Sequence, residues 1–284
     1  MQTIVLPTGN AWPTLGLGTW HMGESKRSRA GEVAAVRLAL QLGYRLIDTA
    51  EMYGEGGAEE VVGEAVAQAL AANELRREDL VVVSKVYPHN ASRSGVPAAC
   101  ERSLSRLGLA HIDLYLLHWR GQHPLGETVA AFEAIEQQGR IRHWGVSNFD
   151  TDDMEELMRV EHGERCVANQ VDYAISERGI EFDLLPWLRT RGMPCMAYCP
   201  LGQGRLTTDA TLASIGRRHG VSAAQVALAW VLGQPGVIAI PKAVRAQHLR
   251  ENLAAAQLRL GADDLAELDN RFPPPRRKQP LAMS

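Results

Sequence analysis

Several absences narrow what this chain is. Cysteine is scarce: only Cys100, Cys166, Cys195 and Cys199 occur in 284 residues. That excludes a small disulfide-stapled scaffold, and the Cys195/Cys199 spacing matches no common zinc or redox pattern. Four reduced, mostly buried thiols in a cytoplasmic protein are expected. Charge of one sign is not in excess. Lys+Arg 30 stand against Asp+Glu 33, a net charge of −3, so the basic stripe of a nucleic-acid binder is missing. No run of about 18 apolar residues occurs, so no membrane span is expected. The N-terminus, Met1-Gln2-Thr3-Ile4-Val5-Leu6-Pro7, lacks a basic stretch followed by an apolar one, the mark of a secretory signal. Gly 26 and Pro 14 are ordinary counts with no collagen period.

What is present is globular. Hydrophobic residues make up 45% and charged residues 22% of the chain, enough apolar content to build a large core. Short β-rich runs alternate with amphipathic helical stretches, and no linker interrupts them. The expected strands are Leu15–Thr19, Tyr44–Asp48, Leu80–Lys85, Ile112–Leu117, Arg142–Ser147, Val167–Val171, Pro194–Tyr198 and Val237–Ile240. Runs such as Leu80-Val81-Val82-Val83 suit strands buried on both faces of a parallel sheet. Helices are expected over Glu32–Leu42, Glu59–Leu70, Val96–Leu107, Thr128–Gln138, Met154–Val160 and Ser222–Leu232, with Asp150–Asp153 supplying an N-cap. Strict β–α alternation predicts one α/β domain over residues 1–284, a (β/α)8 TIM barrel with extra C-terminal helices. Thr3–Val5 and Trp12–Thr14 are expected to form an N-terminal hairpin across the barrel bottom. An open doubly wound sheet is the alternative.

Barrel sites form where the strands end at their C-termini. There the sequence places Gly18-Thr19-Trp20, Asp48 with Tyr53 beyond it, Lys85, His118, Ser147-Asn148, Asn169-Gln170, Tyr198 and Pro241-Lys242. Each of Asp48, Lys85 and His118 has a structural reading as a cap, an ion pair or a satisfied core histidine. Together with Tyr53 they make a chemical set. A neighbouring ammonium should lower a phenol's pKa from about 10, a carboxylate can hold that ammonium, and a neutral imidazole can orient a carbonyl oxygen.

These residues also carry a resemblance. Asp48-Thr49-Ala50-Glu51-Met52-Tyr53-Gly54 with Gly63 downstream resembles the signature of the aldo-keto reductases. So do Ser84-Lys85, Leu116-Leu117-His118, Gly145-Val146-Ser147-Asn148, Asn169-Gln170-Val171, Ala197-Tyr198, Ile240-Pro241-Lys242 and Glu251-Asn252. The order is kept across most of the chain, and the likeness is nearest to the short bacterial members acting on methylglyoxal-like ketoaldehydes or diketo sugar acids. The resemblance implies NADPH-dependent reduction of aldehydes or ketones, with NADH a poorer alternative cofactor. It makes Tyr53 the general acid, tuned by Lys85 and Asp48, and gives His118 the substrate carbonyl. It assigns Ser147, Asn148 and Gln170 to the nicotinamide carboxamide and stacks Tyr198 on its ring. Lys242 and Arg245 are assigned to the 2′-phosphate, with Glu251 and Asn252 near the adenine. Thr19, Trp20, Asp48, Cys199, Leu201, Ala243 and His248 complete the implied cofactor contacts. Where relatives often carry Ser, Ser or Thr, and Arg, this chain has Cys199, Ala243 and His248, so a strict preference for NADPH over NADH is not implied.

Trp20 and Tyr87, with His118, are candidate walls of a substrate pocket, whereas Trp119 reads as structural. His118 and His123 lack a third ligand at metal-binding spacing, so no metal is expected. The tail Phe272-Pro273-Pro274-Pro275-Arg276-Arg277-Lys278 reads either as a solvated extended segment or as a lid on the pocket. A small carbonyl compound is the expected partner, with a monomer the favoured state. Two rivals remain: a non-catalytic nucleotide-binding regulatory barrel, and a barrel hydrolase using Asp48 and His118, which leaves Tyr53 and Lys85 unexplained.

Overall fold

The structure, a computed structural model, describes residues 2–283. Two strands open it, β1 (Thr3–Val5) and β2 (Ala11–Pro13), paired antiparallel. Strands and helices then alternate: β3 (Leu17–Gly18), α1 (Lys26–Gln41), β4 (Leu46–Asp48), α2 (Gly57–Ala71), β5 (Val81–Val86), α3 (Gly95–Leu107), β6 (Ile112–Leu117), α4 (Leu125–Gln137) and β7 (Ile141–Ser147). The second half continues through α5 (Thr151–Met158), β8 (Asn169–Asp172), α6 (Leu184–Thr190), β9 (Cys195–Tyr198), α7 (Ala210–His219), α8 (Ala223–Leu232), β10 (Val237–Ala239), α9 (Ala246–Ala255) and α10 (Ala262–Arg271).

Strands β3 to β10 form one eight-stranded parallel sheet in chain order. It closes on itself. The Ala239 amide donates to Thr14 O at 2.8 Å, Gly16 N to Ala239 O at 2.9 Å and Gly18 N to Pro241 O at 3.1 Å. This is the expected (β/α)8 barrel with its hairpin and extra helices. The first strand is shorter than expected, because at the closing seam the pairing reduces to single bridges such as Leu15 with Ala239. The first helix begins at Lys26 rather than Glu32, since the Ser25 hydroxyl accepts from Arg27 N and starts the helix within its polar, exposed stretch. Two helices with bounds not expected from the sequence, α6 and α7, cover the barrel between β8 and β10.

The period-2 alternation of strands explains where the site lies. Leu46, Val83, Leu116, Ala168, Met196 and Ile238 belong to one buried cluster in the barrel interior. Leu6 and Trp12 of the hairpin region join that cluster and plug the barrel at the end where the strands begin. Two residues further along the chain stand Asp48, Lys85, His118, Gln170 and Tyr198, on the same inner face at the opposite rim. Gly145 keeps the interior open between strands: a Cβ there would sit 2.6 Å from Ala168 O and 2.9 Å from Leu116 Cδ2.

Candidate active site

Lys85 is the centre of the rim. Its side chain is fully buried, and its Nζ donates to Asp48 Oδ1 at 2.9 Å, Asp48 Oδ2 at 2.8 Å and Thr49 O at 2.8 Å. Its Nζ also lies 3.2 Å from the Tyr53 hydroxyl. Burial pulls this ammonium below its ordinary range, while the Asp48 carboxylate opposes that shift and holds the proton on it. Asp48 is fixed in turn. Gln170 Nε2 donates to its Oδ1 at 2.7 Å, and Thr19 donates to its carbonyl through both N (3.0 Å) and Oγ1 (2.9 Å).

Tyr53 stands in a tight turn after β4, where Gly54 and Glu55 adopt positive φ. Its phenol is held well above the ordinary value, first by burial and then by the Asp48 carboxylate. A lowered phenol was the expectation, and the net direction is upward even with Lys85 beside it. Desolvation of the phenolate in a dry site outweighs one cation whose charge Asp48 already offsets. The His118 ring meets the Tyr53 ring edge-on, with centroids 5.8 Å apart. Burial, with Lys85 adding to it, drives the imidazole's pKa well below its usual range, so the ring is neutral at neutral pH. His118 Nδ1 is buried with no hydrogen-bond partner.

The far side of the rim is a polar relay. Asn148, at positive φ (58°), donates from Nδ2 to His118 O at 3.0 Å and to Ser147 Oγ at 3.2 Å. Its Oδ1 accepts from the Tyr198 hydroxyl at 2.8 Å, and the Ser147 hydroxyl donates to Gln170 O at 2.8 Å. A non-glycine residue in this conformation is kept only where its surroundings impose it, and here the amide is anchored on three sides. The expected nicotinamide set is thus brought together, with the Gln170 Oε1 and one Asn148 Oδ1 lone pair remaining as acceptors for a carboxamide N–H.

Lys242, Arg245 and His248 lie exposed beyond β10 at the start of α9. None of the three makes an ion pair among the described residues, so two cations stand ready for a phosphate. Ala243 is buried beneath them. Asn252 is buried, the Tyr44 hydroxyl donates to Leu249 O of the same helix at 3.0 Å, and Glu251 accepts from Gln247 Nε2 at 2.7 Å. Leu201 packs on the core, and Cys199, at positive φ, is half-buried at the rim. These side chains fit NADPH: acceptors for an amide, a phenol to stack, and unpaired cations for the extra phosphate.

Trp20 lies against His21 just after β3, with centroids 4.0 Å apart and the rings tilted by 32°. Tyr87 meets His118 at 6.5 Å and Trp119 edge-on at 6.0 Å, and Trp119 lies 4.9 Å from His118. Trp119 packs on both rings, a contact its structural reading allows. Glu51 is a rim residue that the sequence reading passed over. The tail is anchored: Lys278 Nζ bonds Asp152 Oδ2 at 3.0 Å and lies 3.5 Å from Asp183 Oδ2, and Leu281 packs on the core. Ala282 and Met283 line a cavity of about 870 Å³ that also touches Asp172, Cys199, Arg205 and Phe272. Among the described residues no cluster of His, Cys, Asp or Glu could hold a metal, and no helix is long and apolar enough to cross a membrane.

Residues 14–271 match the sequence profile of the aldo/keto reductase family. The chain belongs to the aldo-keto reductase family. The methylglyoxal reductase YeaE of Escherichia coli (strain K12) is 49% identical to this reductase over 276 residues, 95% of each chain. A crystal structure of an aldo-keto reductase from Klebsiella pneumoniae in complex with NADPH superposes with a TM-score of 0.94 at 48% identity, covering 100% of this chain and 99% of the other. A second Klebsiella pneumoniae structure, with NADP and acetate, gives the same TM-score of 0.94 and 48% identity over 99% of each chain. This aldo-keto reductase is an NADP-dependent oxidoreductase on a (β/α)8 barrel.

Proposed function

We propose that this aldo-keto reductase reduces small 2-oxoaldehydes of the methylglyoxal type to hydroxyketones, with Tyr53 as the proton donor. The observation that carries the reading is the Tyr53 hydroxyl, 3.2 Å from Lys85 Nζ and beside a neutral His118. NADPH, when bound, supplies the hydride to the carbonyl carbon. Tyr53 gives its proton to the carbonyl oxygen as charge builds there, and the Lys85 ammonium stabilises the phenoxide left behind. Because the phenol is held high, Tyr53 keeps its proton at neutral pH until charge builds on the carbonyl oxygen. An N–H at His118 Nδ1 would face no acceptor. With its proton on Nε2, the neutral ring gives a hydrogen bond to the substrate oxygen and keeps that proton. Lys242 and Arg245 hold the 2′-phosphate, and Ser147, Asn148 and Gln170 orient the carboxamide. The small substrate is supported by the likeness to YeaE and by the aromatics Tyr87 and Trp119, whose rings lie 6.5 Å and 4.9 Å from that of His118.

The test is NADPH oxidation across methylglyoxal, aromatic aldehydes and sugar ketones, in wild type and Tyr53→Phe. Methylglyoxal is expected among the best substrates. Tyr53→Phe should bind NADPH normally, by fluorescence titration, and lose about 10²–10⁴-fold in turnover. NADPH binding with no turnover of any carbonyl would favour the regulatory barrel instead.

A further inference from the structure

Glu51 has no role in the mechanism above, yet it is one of the best-connected side chains at the rim. Its side chain is 5% exposed, on the loop that runs from β4 to Tyr53. One carboxylate oxygen, Oε1, accepts from the Tyr87 backbone amide at 2.7 Å and from Asn90 Nδ2 at 3.0 Å. The other accepts from Arg102 Nη2 of α3 at 3.3 Å. The backbone amide of Glu51 donates to Lys85 O at 3.4 Å. One residue therefore grips the segment 85–87 at both ends, at the carbonyl of Lys85 and at the amide of Tyr87. Two positions further on, the same loop carries Tyr53.

We propose that Glu51 is a positioning residue whose carboxylate fixes the Tyr87 wall at the end of β5, and so sets which carbonyl substrates fit. The proposal rests on the reductase reading and adds a specificity determinant to it. The simpler account, a buried partner for Arg102, does not explain the geometry. Arg102 is 48% exposed and makes the longest of the three side-chain bonds, whereas the two shorter ones go to the Tyr87 turn. That turn has little freedom of its own. Pro88 follows Tyr87 and keeps it extended (φ −59°, ψ 143°), and Asn90 N donates back to Tyr87 O at 2.9 Å. The Tyr87 amide fixes where the side chain starts, and the ring is then held by its neighbours, 4.7 Å from His89 and edge-on to Trp119. A carboxylate suits the position because it accepts from all three donors and presents none. An amide would keep the Oε1 bonds and turn a donor toward Arg102.

The test compares kcat and KM for methylglyoxal and 4-nitrobenzaldehyde in wild type, Glu51→Ala, Glu51→Gln, Tyr87→Ala and the Glu51→Ala/Tyr87→Ala double variant. Backbone amide exchange at Tyr87 is measured in parallel. Glu51→Ala should raise KM for 4-nitrobenzaldehyde about tenfold, the effect of losing one charge-assisted hydrogen bond, while kcat for methylglyoxal stays within about threefold. Glu51→Gln should stay close to wild type, and the double variant should be no worse than Tyr87→Ala, since both act through the same ring. The proposal is overturned by equal losses on both substrates, by additive effects in the double variant, or by Glu51→Gln matching Glu51→Ala. If wild type reduces neither substrate, the reductase reading fails. The clamp is then judged by exchange alone: faster exchange of the Tyr87 amide in Glu51→Ala supports it, and unchanged exchange overturns it. Should Glu51→Ala not fold, Asn90→Ala replaces it; a smaller KM rise confined to the bulky substrate supports the clamp, and no such split overturns it.

Discussion

Three buried ionisable side chains meet at the rim, and each is held in a different proton state. Lys85 stays charged against Asp48, His118 stays neutral, and Tyr53 keeps its proton. Acid loss at Tyr53 would need a pH above the ordinary phenol range of about 10. Turnover in the reduction direction is therefore expected to show no Tyr53-dependent fall between about pH 6 and pH 9. A kcat profile that fell through neutrality in wild type, with no buffer dependence, would contradict the proton state assigned to Tyr53. His118 gives the opposite kind of signature. Its folded pKa lies below its unfolded value of about 6.5, so the unfolded chain takes up a proton that the folded chain refuses. The stabilisation from a neutral His118 is present above that unfolded value and is lost as pH falls toward the folded one, at up to about 1.4 kcal/mol per pH unit. His118→Gln should flatten the fall of Tm between pH 6.5 and pH 5. An identical slope in variant and wild type would show that this imidazole does not titrate differently in the two states.

Helix contacts hold the strand ends in register, and one glycine shows how tightly. A Cβ at Gly63 of α2 would sit 2.6 Å from both Arg106 O and Leu107 O at the end of α3. Those atoms are backbone, so the neighbour cannot turn away. Gly63→Ala is expected to destabilise the fold by about 1–3 kcal/mol, read as a lower urea midpoint at unchanged m-value. The nearby ligand of Arg106 is Glu59, which also accepts from Ser84 Oγ at 2.6 Å, directly before Lys85. Elements of this kind were legible where a local signal exists. The capping box of Asp150 and Asp153 before α5, and the apolar run of β5, can be seen in a few consecutive residues. Helix α6 was not, because it is short and carries Pro186 within it. The polar rim residues were legible because each follows an apolar run with strand periodicity. Glu51 was not, because its acceptor role depends on Tyr87 and Asn90, 36 and 39 residues away, whose approach only the closed barrel creates.

The barrel as a whole brings Asp48 of β4 and Gln170 of β8, 122 residues apart, to 2.7 Å, and so joins the proposed proton donor's support to the proposed carboxamide site. Cofactor binding should then be felt as stability of the entire fold. A ligand that binds only the native state at 100 times its Kd adds about 2.7 kcal/mol. Lys242 and Arg245 follow β10 at the closing seam, where Lys242 bridges Gly18, and both are exposed with no ion pair among the described residues. Solvent screens them, so each charge-assisted contact to a 2′-phosphate is expected to contribute about 1 kcal/mol rather than the value for a buried pair. Two such contacts correspond to a preference for NADPH over NADH of about 30-fold. Thermal denaturation with each cofactor tests this on the intact protein. NADPH should raise Tm more than NADH at equal concentration in wild type. The Lys242→Ala/Arg245→Ala variant should lose that difference while keeping the stabilisation by NADH, since the nicotinamide set at Ser147, Asn148 and Gln170 is untouched. Equal stabilisation by the two cofactors in wild type would remove the phosphate from these two side chains. A double variant that lost its response to both cofactors would place Lys242 and Arg245 on a part of the nucleotide common to NADPH and NADH.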